Sequence, residues 1–219
     1  MAVKIMQWNA GGLLNKFIEF KNYVLNNDEP PSIICLQETF LKANKNLKLD
    51  GYNVIRKDRD GDYLTRGGLA TLIRSNISYK IIESPPNIEC QVIEIKCRSL
   101  KFTVINVYCS PRSEIVEGDF KKLFKYNNCI ITGDFNAYNP LWSKHSNVNK
   151  KGEIIESCLE EFSYCLLNTG EGTHQKHLGG MSVLDLTMVS SSLALKCTWT
   201  RALHGPGGPR AGPGRDFYL

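Results

Sequence analysis

Apolar residues in this chain come in short runs, and the spacing within each run separates strands from helices. Val3–Trp8 is β-prone and stops at Asn9-Ala10-Gly11-Gly12, which predicts a strand entering a loop. Leu13, Phe17, Phe20 and Val24 recur at helical spacing, predicting an amphipathic helix over about residues 13–27 that Pro30-Pro31 ends. Ser32–Leu36 reads as a buried strand leading into Gln37-Glu38-Thr39. The middle of the chain then changes character. Tyr52–Arg56, Leu69–Arg74, Tyr79–Ile82, Gln91–Cys97 and Lys101–Tyr108 are β-prone runs between polar or Gly/Pro turns, the pattern of an antiparallel meander. Beyond them the pattern predicts a helix over Ser113–Tyr126, a buried strand over Cys129–Thr132, a helix over Glu153–Phe162, and strands over Val183–Val189 and Leu195–Trp199. Strands and helices mix without regular βαβ alternation, which favours two packed sheets flanked by helices over one doubly wound sheet.

Composition narrows this picture only a little. At 219 residues, 42% hydrophobic and 22% charged, the chain suits one globular domain with a full core. Lys and Arg number 27 against 22 Asp and Glu, a surplus of +5 that fits a polyanionic partner without establishing one. The eight cysteines include no CxxC pair and several sit in apolar runs, so they read as core residues of a protein in a reducing compartment. No window of the sequence is long and apolar enough to span a membrane. Residues 205–214 read GPGGPRAGPG, eight of ten Gly or Pro, which predicts a disordered tail over 201–219 after a domain over 1–200.

Candidate chemistry gathers where strands end, since a rigid sheet fixes the groups on its loops. Asn9 follows KIMQW, Glu38 follows SIICLQ and Asp134 follows CIITG, whereas Asp185 lies within SVLDLTM. Each has a plain alternative. Glu38 reads equally well as a solvated strand terminus, and Asn9, before two glycines, as a turn former. In Gly133-Asp134-Phe135-Asn136, continued strand geometry would put Asp134 and Asn136 on one face, able to handle a proton and hold a phosphate oxygen; an Asx turn is the other reading. Asp185 shares its face with Val183 and Thr187, and a carboxylate among apolar neighbours needs a partner, either a histidine or a structural hydrogen-bond network.

Five segments, QWNAGG, LQET, NVYCSP, GDFNAYNPLW and SVLDLT, in this order and at these separations, resemble the endonuclease/exonuclease/phosphatase superfamily to which DNase I and apurinic/apyrimidinic endonucleases belong. GDFNAYNPLW, followed by Asn149 and Gly152, is most similar to the endonuclease domain of non-LTR retrotransposons. The resemblance, covering about residues 3–199, implies a four-layer α/β/β/α sandwich of DNase I-like fold and hydrolysis of a phosphodiester by in-line attack of water. It implies Glu38 as the principal ligand of Mg²⁺ (or Mn²⁺), with Asn9 beside the metal. It implies contacts from Tyr108 and Asn136 to the scissile phosphate, Asp134 in proton transfer, and Asp185 orienting a histidine. Tyr108 alone would read as a strand aromatic. DNA in the nucleus is the implied substrate, with no membrane partner and no stated oligomeric form; a phosphatase of the same fold and a non-catalytic nucleic-acid-binding remnant are the alternatives. One departure stands out. The family closes its site with a Ser-Asp-His segment, and no Asp-His dipeptide occurs here. The expectation is therefore a chain whose homology ends near Thr200, lacking its last strand and its catalytic histidine.

Overall fold

The computed structural model describes residues 2–59, 66–144, 146–175, 181–201 and 215–219. Its strands are β1 (Lys4–Asn9), β2 (Ile33–Gln37), β3 (Tyr52–Lys57), β4 (Leu69–Arg74), β5 (Ser78–Ile82), β6 (Cys90–Cys97), β7 (Leu100–Tyr108), β8 (Cys129–Asp134), β9 (Tyr164–Leu166), β10 (His174–Gln175), β11 (Met181–Ser182), β12 (Asp185–Ser190), β13 (Thr198–Arg201) and β14 (Arg215–Tyr218). The helices are α1 (Phe17–Leu25), α2 (Glu117–Lys121), α3 (Lys150–Glu161) and α4 (Ser191–Ala194). Two six-stranded sheets form, ordered β13-β14-β1-β2-β4-β3 and β5-β6-β7-β8-β12-β9, beside the small β10-β11 ribbon.

Each large sheet is antiparallel except for one parallel pair at its centre, β1/β2 in the first and β7/β8 in the second. A parallel pair needs a long crossover, and α1 and α2 lie in the two crossovers. Period-two alternation sorts side chains into three apolar layers. Met6, Trp8, Ile34, Leu36 and Leu72 pack outward with Phe20 and Val24 of α1, where Trp8 and Phe20 stack at 5.8 Å. Ile105, Val107, Ile131 and Met188 face the other way, onto Phe120 of α2 and Ile154, Ile155 and Cys158 of α3. Ile5, Ile33, Ile73, Ile93, Val104, Ile130 and Val189 fill the space between the sheets. This is the α/β/β/α sandwich the sequence led us to expect.

Along the inner face, polarity rises towards one edge. Ile5, Gln7 and Asn9 follow one another on β1; Val104, Asn106 and Tyr108 on β7; Ile130, Thr132 and Asp134 on β8; and Val189, Thr187 and Asp185 on the opposed β12. The middle level is a buried amide seam. Gln7 Nε2 donates to Gln37 Oε1 at 2.6 Å, Gln37 Nε2 to Asn106 Oδ1 at 2.7 Å, and Asn106 Nδ2 to Thr71 Oγ1 at 3.1 Å. Buried amides are tolerated because each finds partners, and the seam ties both sheets together beneath their polar edge.

Several expectations are corrected. The helix expected over Ser113–Tyr126 is only α2 followed by a 3₁₀ turn over Lys122–Lys125; residues 113–116 lie outside it, and Val116, with extended backbone, begins the turn of α2. The helix expected from Glu153 starts at Lys150, because Asn149 Oδ1 caps it by accepting Gly152 N–H at 2.9 Å. Leu195–Trp199 is not one strand: α4 turns first and β13 begins at Thr198. The most consequential correction is at the C-terminus. The tail expected over 201–219 is not without structure, since Arg215–Tyr218 forms a strand of the first sheet. β14 inserts between β1 and β13, pairing Lys4 with Tyr218 and Ile5 with Phe217, and Leu219, exchanging two backbone hydrogen bonds with Val3, joins the apolar layer between the sheets. Backbone pairing and one apolar terminus hold this segment; the Gly/Pro run before it lies outside the described residues. All eight cysteines are free. Among the described residues no helix is long and apolar enough to cross a membrane.

Candidate active site

The carboxyl ends of the two parallel pairs meet at one edge of the sandwich, and most of the expected site residues meet there. Asn9 ends β1, Glu38 follows β2, Tyr108 ends β7 and Asp134 ends β8. The Asn9 amide joins the two sheets: its Nδ2 donates to Glu38 Oε1 at 3.0 Å and to Asp134 Oδ2 at 2.8 Å. The Tyr108 hydroxyl donates to the same Glu38 oxygen at 2.9 Å. Asn9 Oδ1 accepts Gly11 N–H at 3.0 Å, so its oxygen faces the loop and its N–H groups face the carboxylates. Charge-assisted bonds of this kind are about twice as strong as neutral ones, and they hold two like-charged groups close together.

Local backbone explains why the site sits on these residues. Glu38 has φ 49°, turning sharply out of β2, a left-handed conformation that costs a non-glycine residue about 1–3 kcal/mol. Gly133 cannot be replaced without displacing the sheet, since a Cβ there would lie 1.9 Å from Val107 O of the adjacent strand. That close approach sets Asp134 beside Tyr108. Asn136 does not continue the strand: it has φ 46°, and its N–H donates to Asp134 Oδ1 at 3.0 Å, an Asx turn. The turn rather than strand alternation brings Asn136 to the site, where its Nδ2 donates to Cys109 O at 3.0 Å. Asn149 braces this loop as well as capping α3, its Oδ1 accepting Tyr138 N–H and its Nδ2 donating to Asn136 O, both at 3.0 Å. Asn139 donates to Glu156 Oε2 at 2.8 Å, and Trp142 Nε1 to Ala137 O at 3.2 Å. The GDFNAYNPLW motif is thus one Asp–Asn turn and its scaffold.

Asp185 lies directly across from Asp134 in the β8/β12 register, and its Oδ1 accepts Gln7 Nε2 at 2.9 Å. This is a hydrogen-bond network of the kind its sequence left open. His174 is exposed on β10; His145, His177 and His204 lie outside the described residues. Burial and the facing Asp185 carboxylate push the Asp134 carboxyl well above the usual range, against the downward pull of the Asn9 and Asn136 hydrogen bonds. Burial, then the Glu38 charge, raises the Tyr108 phenol, so that it stays a proton donor. Sequence reasoning passed over Gln7, although a polar residue between Ile5 and Asn9 on an inward face was a legible signal. It also passed over Lys151, buried with its ammonium on the carbonyls of Ser110 and Pro111, and Arg59, held over the Tyr108 ring.

The donor set fits a hard divalent cation. Glu38 Oε2 makes no hydrogen bond among the described residues while its other oxygen is fixed, which suits an ion such as Mg²⁺ that takes one or two carboxylates and keeps several waters. Among the described residues no group of three or more His, Cys, Asp or Glu side chains is placed to hold a metal ion, so a cation here would rest on Glu38 and water.

The architecture matches solved structures along its whole length. The endonuclease domain of TRAS1, a telomere-specific non-LTR retrotransposon, superposes with TM-score 0.76 at 18% identity, covering 100% of this chain and 98% of that one. The AP endonuclease LMAP from Leishmania major gives TM-score 0.76 at 13% identity, covering 100% and 87%. The 3′ phosphatase NExo from Neisseria, bound to a product DNA hairpin, gives 0.67 at 19%, covering 99% and 98%. At such identities the likeness is one of fold. Comparison with curated protein sequences finds no match. The fold is thus the α/β/β/α sandwich that these nucleases and this phosphatase share. The matching family model, described as endonuclease-reverse transcriptase, covers residues 102–205.

Proposed function

We propose that the chain is a Mg²⁺-dependent DNA endonuclease of the retrotransposon type, nicking one strand by in-line attack of water on a phosphodiester. The observation that carries the reading is the single cluster in which Asn9 bridges Glu38 and Asp134 while Tyr108 donates to Glu38. Glu38 would hold the cation, which when bound offsets the charge that builds on the phosphate oxygens. Asp134, its carboxyl made more basic by burial and by Asp185, accepts the proton of the attacking water. Tyr108 and Asn136 supply hydrogen-bond donors to the scissile phosphate, where fixed donors act on charge as it develops. Gln7 holds Asp185 in place, and Asp185 in turn raises the basicity of Asp134.

The basic surplus of +5 suits a second reading, a nucleic-acid-binding domain with little or no turnover. Nicking of supercoiled plasmid separates the two. The endonuclease reading expects nicks that need Mg²⁺, stop in EDTA and fall at least about 100-fold in Glu38→Ala. Salt-sensitive DNA binding without nicking would support the binding domain instead, and nicking that survives Glu38→Ala would show that the site is misassigned.

A further inference from the structure

Beside the catalytic cluster lies a cavity of about 300 Å³ that the proposed chemistry does not use. Tyr108 forms the wall between them: its hydroxyl reaches Glu38, and its ring borders the cavity. The floor is apolar, with Ile88 and Phe120 buried and Ile115 half-buried against the same core layer. The polar side is lined by two cations, Lys57 and Arg59, and by the carboxylates of Asp58, Glu89 and Glu114, so the phosphate belongs at the catalytic cluster and the cavity itself offers room for the ring. Lys57 Nζ donates to Cys90 O at 3.2 Å. Arg59 is held from three directions: Nε donates to Glu89 Oε2 at 2.7 Å, Nη1 to Arg66 O at 2.7 Å, and Cζ lies 5.5 Å from the Tyr108 ring centroid. Glu89 is itself anchored by Gly68 N–H at 2.6 Å. The Arg59 side chain nevertheless stays 36% exposed, so a guanidinium already fixed in place presents a free surface and gives up little conformational freedom on binding.

An apolar floor, a fixed guanidinium, a phenol ring and a second cation together suit a heteroaromatic ring attached to a phosphate, because bases stack on arginine and aromatic planes in a sequence-tolerant way. The volume is at the lower end for small-ligand pockets and suits one nucleoside rather than a stretch of duplex. We propose that this cavity seats the base of the nucleotide next to the scissile phosphate, making Arg59, Ile88 and Ile115 determinants of which phosphodiester is cut. The inference rests on the nuclease reading for the identity of that phosphate but does not depend on turnover. Inositol and other saturated headgroups offer no ring to stack and are disfavoured.

The test uses the full chain with ¹³C-labelled isoleucine δ-methyls, titrated without metal with deoxyadenosine 5′-monophosphate and, separately, with 2-deoxyribose 5-phosphate. The nucleotide is expected to shift the Ile88 and Ile115 methyls while Ile5 and Ile33 stay still, and the baseless sugar phosphate to leave all four unmoved. Arg59→Met should weaken the nucleotide response at least tenfold. Ile115→Trp, which fills the cavity from its rim, should abolish the Ile88 shift and provides a second variant if loss of the Glu89 partner unfolds the first. Equal shifts with both probes, or none at Ile88 and Ile115, would overturn the subsite. Base-dependent shifts in a protein that never nicks DNA would uphold the subsite and sink the nuclease reading; nicking without those shifts would do the reverse.

Discussion

Substituting Asn9→Asp tests whether two acidic groups face each other across the sandwich edge. In the wild type the Asn9 amide donates to Glu38 at 3.0 Å and to Asp134 at 2.8 Å. A hydrogen bond to a charged group contributes about 1.5–3 kcal/mol, so removing both donors costs on the order of 4 kcal/mol. The new carboxylate adds repulsion of about 4 kcal/mol per pair at 4 Å and intermediate dielectric, which it relieves by taking up a proton. Its folded-state pKa is therefore raised above the unfolded value. The folded protein then binds more protons than the unfolded one, and stability falls as pH rises through the folded pKa. At pH 5 the protonated group keeps one O–H donor and recovers roughly half the loss. For a domain of this size about 1 kcal/mol moves Tm by roughly 2–4 °C. Relative to wild type, Tm should thus fall by about 4–8 °C at pH 5, and at pH 8 by more than about 8–16 °C, because repulsion there adds to the lost hydrogen bonds. Thermal melts followed by circular dichroism at the two pH values give the comparison. A variant whose deficit is the same at both would mean that Asn9 does not stand between two carboxylates, and the site as described would be wrong.

Four further outcomes follow from the same geometry. Gly133→Ala would force a Cβ to within 1.9 Å of Val107 O and should cost more than about 4 kcal/mol, read as loss of soluble protein or a fall in Tm beyond about 8 °C. Asn149→Ala removes the cap of α3 and the brace on Asn136; a loss of about 2 kcal/mol in urea melts, with a fall in nicking rate larger than in KM, is expected. Deleting residues 215–219 takes out the strand between β1 and β13 and leaves an unpaired sheet edge, so size-exclusion chromatography should show aggregation; a monodisperse, fully active truncation would contradict that pairing. Gln7→Leu cuts the link from the amide seam to Asp185 and should shift the pH–rate profile of nicking, whereas a purely structural role would lower Tm and leave the profile in place.

Much of the fold was readable because its signals are local. The runs at Val3–Trp8, Ser32–Leu36 and Lys101–Tyr108 became β1, β2 and β7, and helical spacing from Leu13 to Val24 became a 3₁₀ turn and α1. Four polar residues at or within apolar strands, Asn9, Glu38, Asp134 and Asp185, marked the polar edge, because sheets of this kind put functional groups at strand ends. What escaped reading was long-range or conformational. β14 pairs with residues more than 200 positions away, and four residues after a Gly/Pro run carry no periodicity that would announce a strand. For Asn136 the sequence leaves strand alternation and an Asx turn both open, and the turn, with its positive φ, is what forms. Arg59 and Glu89 form their pair across separate connections, a proximity no single-chain pattern encodes. The buried amides of Gln37 and Asn106 carry no local signal, because their partners arrive only when the two sheets close on each other.

The most direct test of the gathered site is paramagnetic broadening by Mn²⁺ in the ¹⁵N–¹H spectrum of the full chain at substoichiometric ion. We expect the amides of Ala10, Glu38, Cys109 and Phe135 to vanish first, from four separate segments of sequence, and Glu38→Ala to abolish the effect. Broadening centred on another acidic surface such as Asp50, or unchanged in Glu38→Ala, would contradict the account.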